Sequence, residues 1–252
     1  MHEPFERKHI DANTIVIFSH GFIGSPNQFE DLADFVYRNN CSVLSLLLPG
    51  HGGTVKEFSK FRLTDWENHL ENEIQRISSA YQNIILVGHS MGGLLSLNAS
   101  LNKISNVKGV LLISSPLKLK YSLYILLLGI KLTIFPKSTD KILTTYRNSN
   151  SVLSSSIFTY SLWLKQVADM HKLMSKTKSS LSKVIVPTTI ILSEKDETVS
   201  LKSAEIFCNG LKQENKKLII LKESRHAFYV PKERTVICQE LLRLINNLSV
   251  KV

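Results

Sequence analysis

The chain has 252 residues, 43% of them hydrophobic and 21% charged, the balance of a single globular domain long enough to bury a sizeable core. Its three cysteines, Cys41, Cys208 and Cys238, are odd in number and far apart, which excludes a disulfide framework and a zinc site and fits a reducing compartment. The formal net charge of +10 is dispersed, without a run of four basic residues or an aromatic-basic motif; it excludes a nucleic-acid partner and leaves a weak attraction to an anionic membrane surface.

The N-terminal segment Met1-His2-Glu3-Pro4-Phe5-Glu6-Arg7-Lys8 is polar and carries no signal-peptide core, so a cytoplasmic location is expected. Thr14-Ile15-Val16-Ile17-Phe18-Ser19 is β-branched and apolar and reads as a buried strand. His20-Gly21-Phe22-Ile23-Gly24 follows it at once, a turn that would present the Phe22 amide to a substrate carbonyl, with His20 and Gly21 beside it. A helix is predicted near 27–38 and a strand near 42–47. Leu48-Pro49-Gly50-His51-Gly52-Gly53 comes next; His51 is either a loop residue or the edge of a pocket. Thr64-Asp65-Trp66-Glu67 has the capping-box pattern and predicts a helix over 65–80.

Ile84-Ile85-Leu86-Val87 runs directly into Gly88-His89-Ser90-Met91-Gly92-Gly93, and a helix near 91–102 follows. An apolar strand entering Gly-x-Ser-x-Gly predicts a nucleophile elbow at Ser90. A serine hydroxyl is a weak nucleophile, so it must stand exposed where a base can reach it. A sharp strand-to-helix turn achieves this, and Gly88 and Gly92 leave room for it. The helix N-terminus then aims amides and dipole at the reaction centre, with the Met91 amide as second oxyanion donor.

After a strand near 107–113 the rhythm breaks over 117–184. This stretch contains the apolar run Tyr121–Ile130 and Phe158–Leu164, and reads as a mainly helical cap inserted into a core of 1–116 and 185–252. Its apolar run is shorter than the about 20 residues of a membrane span. Leu126, Leu127, Ile130 and Trp163 either line an acyl-chain pocket or pack only on the core. Alternation resumes with strands near 188–193 and 217–221 and helices near 201–210 and 232–247. Such alternation implies a mostly parallel sheet covered on both faces, with active loops at the carboxyl ends of its strands. Glu194, Asp196 and Glu197 follow the first of these strands; Asp196 is favoured as the acid because Thr198-Val199-Ser200 reads as a turn that could hold it. His226 follows the second, and of the eight histidines it alone lies downstream of Asp196.

His20-Gly21-Phe22, Leu48-Pro49-Gly50-His51-Gly52, Gly88-His89-Ser90-Met91-Gly92-Gly93, Asp196 and His226 together resemble the α/β-hydrolase superfamily, and within it bacterial carboxylesterases and monoacylglycerol lipases. Gly24-Ser25-Pro26 and Asp65-Trp66 fit that branch; Arg225 stands where many members carry glycine. The resemblance covers residues 14–115 and 186–248. It implies an α/β-hydrolase fold with a mostly parallel central sheet, a Ser90–His226–Asp196 triad, an oxyanion hole at Phe22 and Met91, a small-molecule ester substrate with an apolar acyl group, and neither metal nor organic cofactor. Thioesterase, acyltransferase and carbon–carbon hydrolase chemistry would use the same triad; a non-catalytic ligand-binding or membrane-docking role stays open as a distinct alternative.

Overall fold

The computed structural model describes residues 2–102, 106–120, 137–152 and 161–247. Seven strands form one sheet: β1 (Phe5–Arg7), β2 (Thr14–Ser19), β3 (Ser42–Ser45), β4 (Asn83–His89), β5 (Val107–Ile113), β6 (Thr188–Ser193) and β7 (Lys216–Leu221). Their spatial order is β1-β3-β2-β4-β5-β6-β7. Among the described strands only the β1–β3 pair is antiparallel and the other pairs are parallel, so the expected α/β-hydrolase architecture is present.

Period-two alternation divides the strand residues between two cores. Ile15, Ile17, Ile84, Leu86, Val110, Leu112, Ile190 and Leu192 face one layer. Val16, Phe18, Ile85, Val87, Leu111, Ile113 and Ile191 face the other. A strand buried on both faces must read as a continuous apolar run, and Ile84-Ile85-Leu86-Val87 does. Each fully buried aliphatic side chain of this kind contributes about 1.5–3 kcal/mol.

Helices cover both faces. α1 (Glu30–Arg38) and α8 (Pro231–Asn246) bury Leu32, Val36, Ile237 and Leu241 against the second layer. α3 (Leu63–Ser78), α4 (Met91–Ala99), α6 (Leu164–Ser180) and α7 (Lys202–Gly210) cover the first, and Trp66, Leu70, Leu94, Leu173 and Phe207 lie in its core. α4 is buried all round, because α3 and α6 pack over it. Two short helices are also present among the described residues, α2 (Val55–Phe58) and α5 (Lys141–Ser149). No described helix is long and apolar enough to cross a membrane.

Three local features differ from the sequence expectation. The second long helix starts at Leu63 rather than Asp65, and its cap is the Asp65 carboxylate accepting from the Arg62 amide at 2.7 Å. Thr64 therefore lies inside the helix, and Glu67 pairs with Lys176 at 2.7 Å instead of closing a box. The capping box that does form belongs to α2, where Thr54 and Glu57 exchange side-chain bonds with each other's amides. The first helix opens with a 3-10 turn at Pro26–Phe29, capped by Ser25.

Within 117–184 the described part is helical at α5 and α6, and α6 packs on α3 and α4. The side chain of Asp169 on α6 receives two bonds from the Arg62 guanidinium, at 2.6 and 2.8 Å, and a third from the Leu63 amide at 3.1 Å. Gln166 donates to the Ser59 and Phe61 carbonyls at 2.9 and 2.8 Å. Leu126, Leu127 and Ile130 lie outside the described residues.

Candidate active site

Parallel register brings the loops of interest to one end of the sheet. Ser19 pairs with Gly88, His89 with Ile113, and Ser193 with Leu221. The segments after β2, β4, β5, β6 and β7 therefore emerge side by side, at the carboxyl edge where open parallel sheets place their sites.

Ser90 lies between β4 and α4 with φ 54° and ψ −119°. A non-glycine residue in such a conformation costs about 1–3 kcal/mol and persists only where its surroundings fix it. Here the Ser90 amide donates to the Ile113 carbonyl at 2.8 Å, and its own carbonyl accepts from the Gly93 amide at 3.1 Å. The turn is possible because neighbouring main chains touch. A Cβ on Gly92 would stand 2.0 Å from the Ser19 carbonyl oxygen, and one on Gly88 would stand 2.3 Å from the Gly92 main chain.

The turn after β2 lies directly against the elbow: a Cβ on Gly21 would meet the Ser90 Cβ at 3.1 Å. Four successive carbonyls of this turn are held. Gly21 O accepts from His20 Nδ1 at 3.0 Å and the Gly24 amide at 2.9 Å, Phe22 O from His51 Nε2 at 2.8 Å, Ile23 O from the Ser151 amide at 2.9 Å, and Gly24 O from the Ser151 hydroxyl. In a trans peptide, N–H and C=O point oppositely, so pinning the Gly21 carbonyl fixes the direction of the Phe22 amide. A donor held in advance is what an oxyanion site requires.

His20 and His51 do this holding. His20 is fully buried, and its Nε2 accepts from the Leu48 amide at 3.0 Å while Nδ1 donates to Gly21. Both nitrogens are thus engaged by main chain. Burial, then the nearby His51, holds its pKa well below the usual imidazole value. His51 is lowered to about 4, burial outweighing the carbonyls of Phe22, Leu48 and Pro49 that favour its charged form. Trp163, just before α6, sits over this turn: its ring lies 6.2 Å from Phe22 and 5.9 Å from Phe58, edge to face in both cases.

Asp196 and His226 meet across the loops after β6 and β7. His226 Nδ1 lies 2.9 Å from Asp196 Oδ2. The other oxygen, Oδ1, accepts from the amides of Thr198 at 2.8 Å and Val199 at 2.7 Å. The turn expected from Thr198-Val199-Ser200 therefore holds the carboxylate through its amides. Burial alone would raise the Asp196 pKa; the His226 charge and these hydrogen bonds reverse that, and the net shift is downward. For His226 burial alone would lower the pKa, and the Asp196 carboxylate with Glu197 more than offsets it, so the net shift is upward. Glu194 is exposed and pairs with Lys222. Glu197 is buried, and its Oε2 lies 3.4 Å from the His226 amide.

Several residues of the site carried no recognisable sequence signal. The His89 ring packs 4.8 Å from that of His226, and burial first, then the charge of His226, lowers its pKa to about 3. Glu233, on the first turn of α8, gathers the amides of Lys222, Glu223 and Ser224 and the Ser224 hydroxyl, bracing the chain that leads to His226. Arg225, in place of a glycine, donates its amide to the Phe228 carbonyl at 2.7 Å.

Residues 10–233 match the family model described as serine aminopeptidase, S33. A thermostable monoacylglycerol lipase from Bacillus sp. (strain H-257) is 24% identical over 240 residues, covering 95% of this chain and 92% of the relative. A carboxylesterase from Bacillus subtilis (strain 168) is 22% identical over 254 residues, covering 98% and 97%. Among solved structures, that of the Paleococcus ferrophilus monoacylglycerol lipase superposes with a TM-score of 0.72 at 15% identity, covering 97% of this chain and 99% of that one. The family model extends from before β2 to the first turn of α8, through every strand that carries the site, and the chain belongs to the serine aminopeptidase, S33 family of α/β-hydrolases.

Proposed function

We propose that the protein is a serine hydrolase that cleaves carboxylic esters of short to medium acyl length, monoacylglycerols among them, through an acyl-enzyme. The observation that carries this reading is the His226 Nδ1–Asp196 Oδ2 bond of 2.9 Å at the same sheet edge as the strained Ser90. The relatives whose names are monoacylglycerol lipase and carboxylesterase support an ester as the bond attacked.

In this mechanism His226 Nε2 takes the proton of Ser90 Oγ as that oxygen bonds to the ester carbonyl carbon. Asp196 holds the Nδ1–H tautomer and stabilises the imidazolium that forms. The amides of Phe22 and Met91 bind the oxyanion, each contributing roughly 2.7–4 kcal/mol in comparable sites. Collapse expels the alcohol, which receives the proton from His226. Water then repeats the sequence on the acyl-enzyme and releases the acid. Residues 117–184 act as a cap on the core of 1–116 and 185–252. The Ser151 bonds to Ile23 and Gly24 and the Trp163 contact with Phe22 support that reading, because they join this segment to the oxyanion turn.

The test is turnover of p-nitrophenyl esters of graded length, with a monoacylglycerol, a thioester and a peptide amide alongside. Each methylene buried in an acyl pocket is worth about 0.8 kcal/mol, so turnover should climb from acetyl to medium-chain esters and stop where the pocket ends. Preference for the thioester or the amide over every ester would overturn the proposal.

A further inference from the structure

The His226 main chain is held from three directions. Its carbonyl accepts from His89 Nε2 at 2.8 Å and from the Tyr229 hydroxyl at 2.9 Å, and its amide faces Glu197 Oε2 at 3.4 Å. Two of these residues are the sequence neighbours of Ser90 and Asp196. The residue before the nucleophile and the residue after the acid thus grip the base.

The proton count is fixed by the chemistry of the groups. A carbonyl only accepts, so His89 carries its proton on Nε2 and Tyr229 donates its single hydroxyl proton to the same oxygen. The Ser114 hydroxyl, 3.1 Å from the Tyr229 oxygen, must then be the donor of that contact. Ser114 follows β5 with φ 49°, and it is fully buried. A β5 end that continued in extended form would aim this hydroxyl elsewhere. Local strain is thus kept where it serves the chain Ser114–Tyr229–His226.

We infer that His89 and Tyr229 are positioning residues for the catalytic base: by clamping the His226 carbonyl they keep its ring on Asp196. The inference rests on the triad reading above. Both donors stay protonated as needed. Burial and the charge of His226 keep His89 neutral, so it adds no charge beside the imidazolium, and burial raises the Tyr229 phenol. The charged and titratable groups around His226 are Asp196 on its ring, Glu197 at its amide, and His89 and Tyr229 at its carbonyl. Lys120 lies one step out, donating to the Asp196 carbonyl.

The experiment compares Tyr229→Phe, His89→Gln and His89→Ala with wild type in the full-length enzyme. It reads kcat and KM on a p-nitrophenyl ester across pH, and Tm for each variant. Loss of one net hydrogen bond corresponds to about tenfold in rate. Tyr229→Phe should lower kcat about tenfold with KM unchanged, and should move the acidic limb of the pH profile downward, because a loosened ring loses part of its bond to Asp196. His89→Gln, which retains an N–H donor, should keep more activity than His89→Ala. Unchanged kcat and acidic limb in Tyr229→Phe would overturn the clamp. So would variants whose lower Tm comes with an unmoved limb. If wild type turns over no ester, the proposed function fails, and the clamp is then read by proton NMR. The low-field His226 Nδ1–H resonance should shift or broaden in Tyr229→Phe, and an unaltered resonance would contradict it.

Discussion

The turn at Ser90 and the loop that carries His226 are held by opposite means. At the elbow, missing side chains set the geometry: Gly88 and Gly92 let main chains approach to distances at which no Cβ fits. In the His226 loop, added polar side chains set it, with Glu233 gathering three amides and Tyr229 and His89 gripping the His226 carbonyl. A backbone that must pass close to another tolerates no substitution. A loop braced by hydrogen bonds loses those bonds one at a time. The two regions should therefore respond differently to mutation.

The largest effect should come from the carboxylate bonded to the His226 ring. Asp196→Asn should lower kcat about 10⁴-fold by favouring the wrong His226 tautomer, with the fold intact. Glu194→Gln, at an exposed carboxylate, should be silent. A crippled Glu194→Gln beside a normal Asp196→Asn would reassign the acid. Next is Gly92→Ala, whose Cβ would enter the Ser19 carbonyl at 2.0 Å. We expect a loss of about 4 kcal/mol or more in chemical denaturation, or no folded protein. Gly53→Ala is the contrasting change, since its Cβ would meet only the Glu57 side chain, which can move. Equal losses in the two variants would break the elbow half of the comparison.

Acidification should act on stability through the buried histidines. His20, His51 and His89 have folded pKa values below the unfolded one, His51 at about 4 and His89 at about 3. Below about pH 6.5 the unfolded chain binds protons that the folded chain refuses, so stability falls with falling pH by about 1.4 kcal/mol per unit for each group. That fall should continue until the folded groups themselves protonate, near pH 4 for His51 and pH 3 for His89. His226 has the opposite sign. Its raised pKa stabilises the fold below 6.5 and that contribution is lost as pH rises through the folded value. Because the base must be neutral, the acidic limb of kcat/KM should have its midpoint above 6.5. A midpoint well below 6.5 would contradict the Asp196–His226 pairing. The smallest effect should be Glu233→Ala, where water can replace the carboxylate at the loop amides. We expect a loss of about 1–2 kcal/mol by denaturation and a modest fall in kcat.

This contrast also explains what was legible in the sequence. Features enforced by glycine and by continuous apolar runs were readable: the strands flanking the site, the elbow at Ser90, and the turn at Gly21. β1 was not, since three residues paired antiparallel with β3 give too short an alternation to register. α2 did carry a signal, Thr54-Val55-Lys56-Glu57, but a single turn lacks the periodicity that marks longer helices. His89, Tyr229 and Glu233 could not be found by pattern. Their roles depend on bonds to main-chain atoms, which leave no mark in residue spacing, and His89 and His226 are 137 positions apart in sequence.

The central claim is that Ser90 is a nucleophile activated by His226. Its most direct test is covalent labelling by a fluorophosphonate probe, with the modified peptide identified by mass spectrometry. A single adduct on Ser90, absent in Ser90→Ala and strongly slowed in His226→Ala while both variants stay folded, is the predicted result. Folded wild-type protein that takes no label, or an adduct on another serine that persists in Ser90→Ala, would contradict it.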